Sequence, residues 1–313
     1  MEKPPLNWID DYFSEYELHK LAFKNILYQA ESKHQKIIIV DTHSFGRCLI
    51  LDNEFQSSEA DEYIYHESLV QPSLIMHSEA QNVLIIGGGE GATLRETLRH
   101  QSVKKAVMVD ISDEVISCAK KHLPSFHEGA FDDKRTTLVI EDGRKYLEKA
   151  DQQFDVIIID VNDPVEGSPS AMLFTRECYQ IAAGRLRKDG IIVVQSGAVS
   201  ITDNDLFSGI FHTLSEVFPH VFPYITYIPS YACLWGFILA THNLGNLDIT
   251  DEEIDSRIKN RVHSTLRYYD SITHHSMFNL PKYLRKELED CKHIIRDNEP
   301  LIKHYPGVLP EKG

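Results

Sequence analysis

Glycines and carboxylates recur in this 313-residue chain directly after short apolar runs. Gly87, Gly88 and Gly89 follow the apolar run VLII directly. Missing side chains there let the backbone approach a ligand and let the next helix start abruptly. About twenty residues further on, Asp110 closes the run KAVMVD, where an acidic side chain can take both hydroxyls of a ribose. Asp142 and Gly143 end a third such run, in position to meet the edge of an adenine. Glycine loop, acid and acid at three successive strand ends point to an adenosine site.

The loop also carries Glu90. A carboxylate there repels the pyrophosphate of a dinucleotide and the amino-acid carboxylate of S-adenosylmethionine, and it attracts an amine. Decarboxylated S-adenosylmethionine presents a sulfonium and a free ammonium, so an acidic loop discriminates in its favour. A fourth run ends in Asp160-Val161-Asn162-Asp163-Pro164. Paired acids could bind a metal, flank a glycosidic bond or cradle an ammonium group. With no further hard ligand evident beside them, cation binding is the reading that fits best, and no metal is expected.

Stepping outward, the elements that must hold these residues fall into two rhythms. Leu18 to Ala60 alternates β-rich runs with turn signals (KNILYQAE, KIIIVDTHSFG, RCLILDNEF), which predicts a small antiparallel sheet. Asp61 to His77 has the pattern of a connecting helix. Thereafter strand, glycine turn, helix and strand follow one another, the mark of a parallel sheet flanked by helices. NVLIIG, KAVMVDI, TTLVIED, FDVIIID, GIIVVQS, VFPYITYI and LWGFILATH make about seven strands, the last two a hairpin. Ligands bind such a sheet beyond the carboxyl ends of its strands, which is where the acids lie. The expected division is 1–78 for the small sheet with its helix, 79–245 for the large sheet and 246–313 for a helical tail.

Composition narrows the classes. The chain is 42% hydrophobic with a formal charge of −15, so it can bury a large core and is ill suited to phosphate-rich nucleic acid. No run approaches the ~20 apolar residues that span a bilayer, and the N-terminal residues lack the pattern of a secretory signal, so the expected location is cytoplasmic. Five dispersed cysteines form no CxxC pair, which suggests neither disulfides nor a zinc site.

GGGEGATLRE, VMVDISDEVI, the EDG at Glu141–Gly143, DVNDPVEGSPS and QSSEADEYIYHESLVQPSL together resemble the ordered motifs of polyamine aminopropyltransferases of the spermidine and thermospermine synthase type. The resemblance runs from about Leu18 to His242. It implies a Rossmann-like sheet of the S-adenosylmethionine-methyltransferase type behind an N-terminal β domain, a homodimer or homotetramer, and no tightly bound cofactor. Decarboxylated S-adenosylmethionine would be a co-substrate, donating its aminopropyl group to an amine. By motif, Gln35 and Asp110 would hold the ribose and methionine-derived part, with Gly87 and Gly89 beneath. Asp142, Gly143 and Pro169 would hold the base. Gln56, Tyr65, His66 and Glu90 would line the aminopropyl and amine pocket. Asp160 would accept the proton, Asp163 would anchor the amine and Tyr231 would close over it. One departure stands out: many spermidine synthases carry Gln-x-Glu after the fifth strand, and here the run is Gln195-Ser196-Gly197-Ala198. That departure puts a short diamine acceptor in question, since an unpaired ammonium in a closed pocket is costly. Glu166 could supply a displaced acid. A methyltransferase on the same fold and a non-catalytic polyamine-binding subunit are the rival readings.

Overall fold

The computed structural model describes residues 6–12, 17–243 and 249–304. The expected boundary at 245/246 lies outside these residues. Five strands form an antiparallel sheet in chain order: β1 (Asn7–Tyr12), β2 (Leu18–Glu31), β3 (Lys36–Thr42), β4 (Arg47–Leu51) and β5 (Glu54–Ser58). β1 lies before the stretch from which the strands are expected. The run RCLILDNEF is two strands rather than one. It folds back at Asp52 and Asn53, whose φ angles of 51° and 69° suit a two-residue hairpin turn.

Helix α1 (Glu62–Met76) leads out of this sheet and packs on the second one. Its strands are β6 (Asn82–Gly87), β7 (Lys105–Asp110), β8 (Thr136–Ile140), β9 (Phe154–Asp160), β10 (Leu186–Val199), β11 (His220–Ile228) and β12 (Cys233–Thr241). They lie in the order β11-β12-β10-β9-β6-β7-β8. β10, β9, β6, β7 and β8 run parallel, while β12 pairs antiparallel with both β10 and β11. The apolar runs VLIIG of β6 and FDVIII of β9 are buried throughout, as strands covered on both faces must be.

The remaining helices are α2 (Ala92–Leu98), α3 (Asp113–His122), α4 (Pro124–His127), α5 (Gly143–Lys149), α6 (Arg176–Arg185), α7 (Asp205–Ser215), α8 (Asp251–Arg261), α9 (Ser271–Phe278) and α10 (Lys282–Asp290). One core joins Leu69, Leu74 and Leu94 of α1 and α2 to Val83, Ile85, Val156 and Ile158 on one face of the large sheet. A second joins Leu84, Ile86 and Ile157 on the other face to Leu147, Tyr179 and Phe207. Ile37, Ile39, Leu49 and Leu51 of the small sheet pack against Val115, Ala119 and Phe126, which seats that sheet over α3 and α4.

The strand order reverses between β6 and β9, and here Gly87 stands opposite Asp160 in the register. A doubly wound sheet opens a crevice at such a switch point, so the topology itself brings the glycine loop and the paired acids together.

Candidate active site

A cavity of about 510 Å³ opens at the carboxyl ends of β6, β7 and β9 and is roofed by the small sheet. Gly87, Gly89, Glu90, Asp110, Asp142, Gly143, Asp160, Asp163, Pro169, Gln35, Gln56, Tyr65 and Tyr231 all line it. So does Glu166. His66 does not, contrary to the expectation from its motif. It is 1% exposed, behind the wall.

The floor is built by close backbone approach. Gly87 has φ of +85°, and a Cβ there would stand 2.0 Å from the carbonyl oxygen of Asp160. The Gly88 N–H donates to that same carbonyl at 2.8 Å, tying the loop to β9. A Cβ on Gly143 would meet Ile86 Cγ2 at 2.3 Å, so α5 can start against β6 only with glycine there. Asp142 caps α5, its Oδ1 accepting from the Lys145 N–H at 3.1 Å. The cap of α3 is Ser112, which leaves Asp110 to face the glycine loop. One Asp110 oxygen accepts from the Ser112 N–H at 2.8 Å. Burial pushes Asp110 up to about 6, and Glu90 and Asp160 add to the shift.

Asp160 sits at the centre. Its Oδ1 accepts from the Tyr65 hydroxyl at 2.7 Å and its Oδ2 from the Thr93 hydroxyl at 2.5 Å. Burial first, then Glu90, raise its pKa above the ordinary carboxylate value, while His66 and the two hydroxyls oppose the rise. Thr93 has no role in the sequence reading. Its signal is a small polar residue at the second position of the helix that follows the glycine loop, where an α-helix points side chains back at the strand end.

His66 works from behind. Its Nε2 meets Glu90 Oε1 at 2.8 Å and its Nδ1 meets Glu62 Oε2 at 3.0 Å. Burial opposes a charge on the ring, but the Glu62 and Glu90 carboxylates outweigh it and hold His66 at about 10, an imidazolium at neutral pH. Glu62 in turn receives Arg95, which also binds Glu96. The chain of alternating charges ends at Glu90 and fixes its carboxylate at the cavity wall. Donor atoms of His66, Glu90 and Asp160 lie within 4.8 Å of one another, the spacing of a metal triad. Both ring nitrogens already face carboxylates, so the imidazolium has no lone pair for an ion.

On the acceptor side the walls are aromatic. The Tyr65 and Tyr231 ring centroids are 6.2 Å apart, and Trp235 lies 4.8 Å from Tyr231 and 6.3 Å from Tyr65. Such faces attract an ammonium and shed water around methylenes. The Tyr231 hydroxyl donates to the Gln56 carbonyl. Trp235 donates to Gln195 Oε1 at 3.2 Å. Asp163 is buried beside Gln195 and stands 3.5 Å from the Lys303 ammonium. Lys303 belongs to the tail, whose backbone N–H also donates to Pro164 at 2.6 Å.

A Rossmann-like sheet of the S-adenosylmethionine-methyltransferase type, with carboxylates at adjacent strand ends around one crevice, offers a pocket matched to a cationic ligand. Comparison with known proteins agrees. A sequence model described as the spermine/spermidine synthase domain matches residues 62–251, and one described as the spermidine synthase tetramerisation domain matches residues 7–59. A polyamine aminopropyltransferase of Sulfolobus acidocaldarius is 42% identical over 94% of this chain and 97% of its own. One of Sulfurisphaera tokodaii is 41% identical over 97% and 98%. A crystal structure of spermidine synthase in complex with the transition-state analogue AdoDATO superposes with a TM-score of 0.84 at 32% identity, covering 90% of this chain and 95% of that one. The spermidine synthase of Thermotoga maritima gives 0.83 at 32% identity, covering 90% and 94%. The chain belongs to the spermine/spermidine synthase family, a family of aminopropyltransferases.

Proposed function

We propose that the chain transfers the aminopropyl group of decarboxylated S-adenosylmethionine to a primary amine of a polyamine, releasing 5′-methylthioadenosine. The observation that carries this reading is the meeting of Glu90, Asp110 and Asp160 in one cavity, where a positively charged adenosyl compound is matched and a carboxylate-bearing one is repelled. Asp110 and Gln35 hold the ribose side, Asp142, Gly143 and Pro169 the base, and Glu90 the donor's ammonium.

The neutral amine attacks the methylene attached to the sulfonium. The N–C bond forms as the C–S bond breaks, the electron pair leaves with sulfur and the product thioether is neutral. The new secondary amine must shed one proton, and Asp160 is placed to take it. Its raised pKa suits a proton acceptor better than an ordinary carboxylate does. Tyr65, bonded to Asp160 Oδ1, holds that carboxylate toward the aromatic pocket. Little else is needed from the protein, because a sulfonium is already a good leaving group and alignment supplies much of the rate.

The proposal includes the division 1–78, 79–245 and 246–313, with α1 packed on the large sheet, and a homodimer or homotetramer formed through the small sheet. Trp8 and Ile26, 53% and 51% exposed on β1 and β2, supply apolar surface for such a contact. No helix of the described residues is long and apolar enough to cross a membrane, and a cytoplasmic location is proposed with the rest. The test is incubation with decarboxylated S-adenosylmethionine and, separately, putrescine, cadaverine, agmatine and spermidine, with products identified by mass and chromatography. Equimolar 5′-methylthioadenosine and an aminopropylated amine are expected. Methylated products formed from intact S-adenosylmethionine would support a methyltransferase instead.

A further inference from the structure

We infer that the cavity contains a second ammonium subsite, built by Glu54 and Asp11 of the small sheet beside Asp163, which receives the far cationic nitrogen of the acceptor. The inference rests on the polyamine reading above and adds the residues that select among amines.

The Gln195–Ala198 run of β10 offers no carboxylate for such a site. The side chain of Gln195 is fully engaged. Its Nε2 donates to the Val161 carbonyl at 2.6 Å, and its Oε1 accepts from Trp235 and from the Gly197 N–H. Position 197 is a glycine with φ of +74°, on which a Cβ would stand 3.2 Å from Asp163, so a side chain there would crowd that carboxylate.

The small sheet supplies the missing charge. Glu54 opens β5, Asp11 lies in β1, and both line the cavity together with Asp163. Asp11 Oδ1 accepts from the Phe55 N–H at 3.2 Å, which fixes the β1 carboxylate next to Glu54. Glu54 Oε1 is buried and has no hydrogen-bond partner among the described residues. A buried carboxylate oxygen left without a donor is expensive, and in a cavity wall it is the natural counterpart of an incoming ammonium. Burial drives Glu54 well above its usual range, and Asp163, Asp11 and Asp52 push the same way. Lys303 opposes this, and it is shared between Asp163 and Asp203. Asp11, Glu54 and Asp163 thus gather three carboxylates in this wall. Rings link the two ends: Tyr65, bonded to Asp160, is 6.2 Å from Tyr231, which is 4.8 Å from Trp235 and 6.1 Å from Phe55, an apolar wall for methylenes.

The ligand class that follows is a di- or triamine whose second nitrogen is charged, and an alkyl monoamine gains nothing from the subsite. Initial rates with the full chain at saturating donor should be compared for Glu54→Gln and Asp11→Asn with spermidine, putrescine and butylamine. Glu54→Gln should raise KM for spermidine about tenfold or more, a loss of at least ~1.4 kcal/mol, while kcat and the KM for butylamine stay within about twofold. Asp11→Asn should act in the same direction. Unchanged KM for both polyamines, or an equal loss for butylamine, would overturn the subsite. Calorimetric titration of spermidine onto each protein with 5′-methylthioadenosine bound separates the two proposals. A parent chain that transfers no aminopropyl group, yet loses spermidine affinity on Glu54→Gln, would refute the activity and keep the subsite. Equal affinity in parent and variant would refute the subsite whatever the activity.

Discussion

Asp160→Asn separates the chemistry of the site from its architecture. Charges on Glu90 and His66 both lie within 4.8 Å of the Asp160 carboxylate. At that distance and an effective dielectric of about 20, each unit pair is worth roughly 3.5 kcal/mol. Glu90 repels and the imidazolium attracts, so the two nearly cancel and burial decides the sign. A neutral amide removes the cost of a buried charge and can still accept from Tyr65 or Thr93 through its oxygen. The unfolding temperature of the variant should therefore equal or exceed that of the parent. Turnover should fall by ~10²–10⁴-fold, the usual loss of a general base, equivalent to about 2.7–5.5 kcal/mol in the barrier. The assay is 5′-methylthioadenosine release under saturating substrates, with calorimetry of 5′-methylthioadenosine binding expected to change by less than about threefold. More than a tenth of parental turnover would remove Asp160 from proton transfer. Loss of nucleoside binding alongside turnover would make its role architectural.

Further expectations follow from the same geometry. Glu90→Gln removes the charge that disfavours an amino-acid carboxylate, so the ratio of S-adenosylmethionine to decarboxylated S-adenosylmethionine dissociation constants should shrink by about tenfold or more, read by calorimetry with each; an unchanged ratio would place discrimination elsewhere. Gly87→Ala puts a Cβ 2.0 Å from the Asp160 carbonyl at a φ of +85° and should lower stability by more than the ~1–2 kcal/mol of left-handed strain alone, measured by urea unfolding. Burial raises Asp11 to about 6 from an ordinary 3.8, with the Phe55 N–H opposing. The folded state then holds its proton longer than the unfolded one, so stability present below pH 4 declines as pH climbs to 6. Asp11→Asn should remove up to about 3 kcal/mol of that decline, visible as a flatter stability-against-pH curve between pH 4 and 7.

The catalytic sheet is legible because buried parallel strands are nearly unbroken apolar runs, and each ends in a glycine or acid whose place needs no long-range information. That is why Gly87, Asp110, Asp142 and Asp160 meet as their spacing implies. What does not read out is whatever depends on the second sheet or the tail. β1 mixes Trp8 and Ile9 with two aspartates in a short polar strand, so its pattern gives little warning of a cavity wall. Glu54 follows a hairpin turn that the run LDNEF conceals, and only the turn makes it face inward. His66 sits in a matched motif, yet whether a helical histidine points into a pocket or behind it depends on what its neighbours Glu62 and Arg95 demand. Lys303 reaches Asp163 from 140 positions further along the chain, a contact no local pattern encodes.

The two sheets are clasped at a few points: the Ser230 N–H donates to Asp61 at 2.7 Å, Tyr231 to the Gln56 carbonyl, and Arg47 to the His122 carbonyl. Both parts of the cavity depend on that docking, since Gln35 joins the side lined by Asp110 while Asp11, Glu54 and Gln56 join the side lined by Tyr231 and Trp235. Inserting or deleting a residue in the Ser58–Glu62 connector should therefore weaken nucleoside binding together with turnover, read by calorimetry and by 5′-methylthioadenosine release.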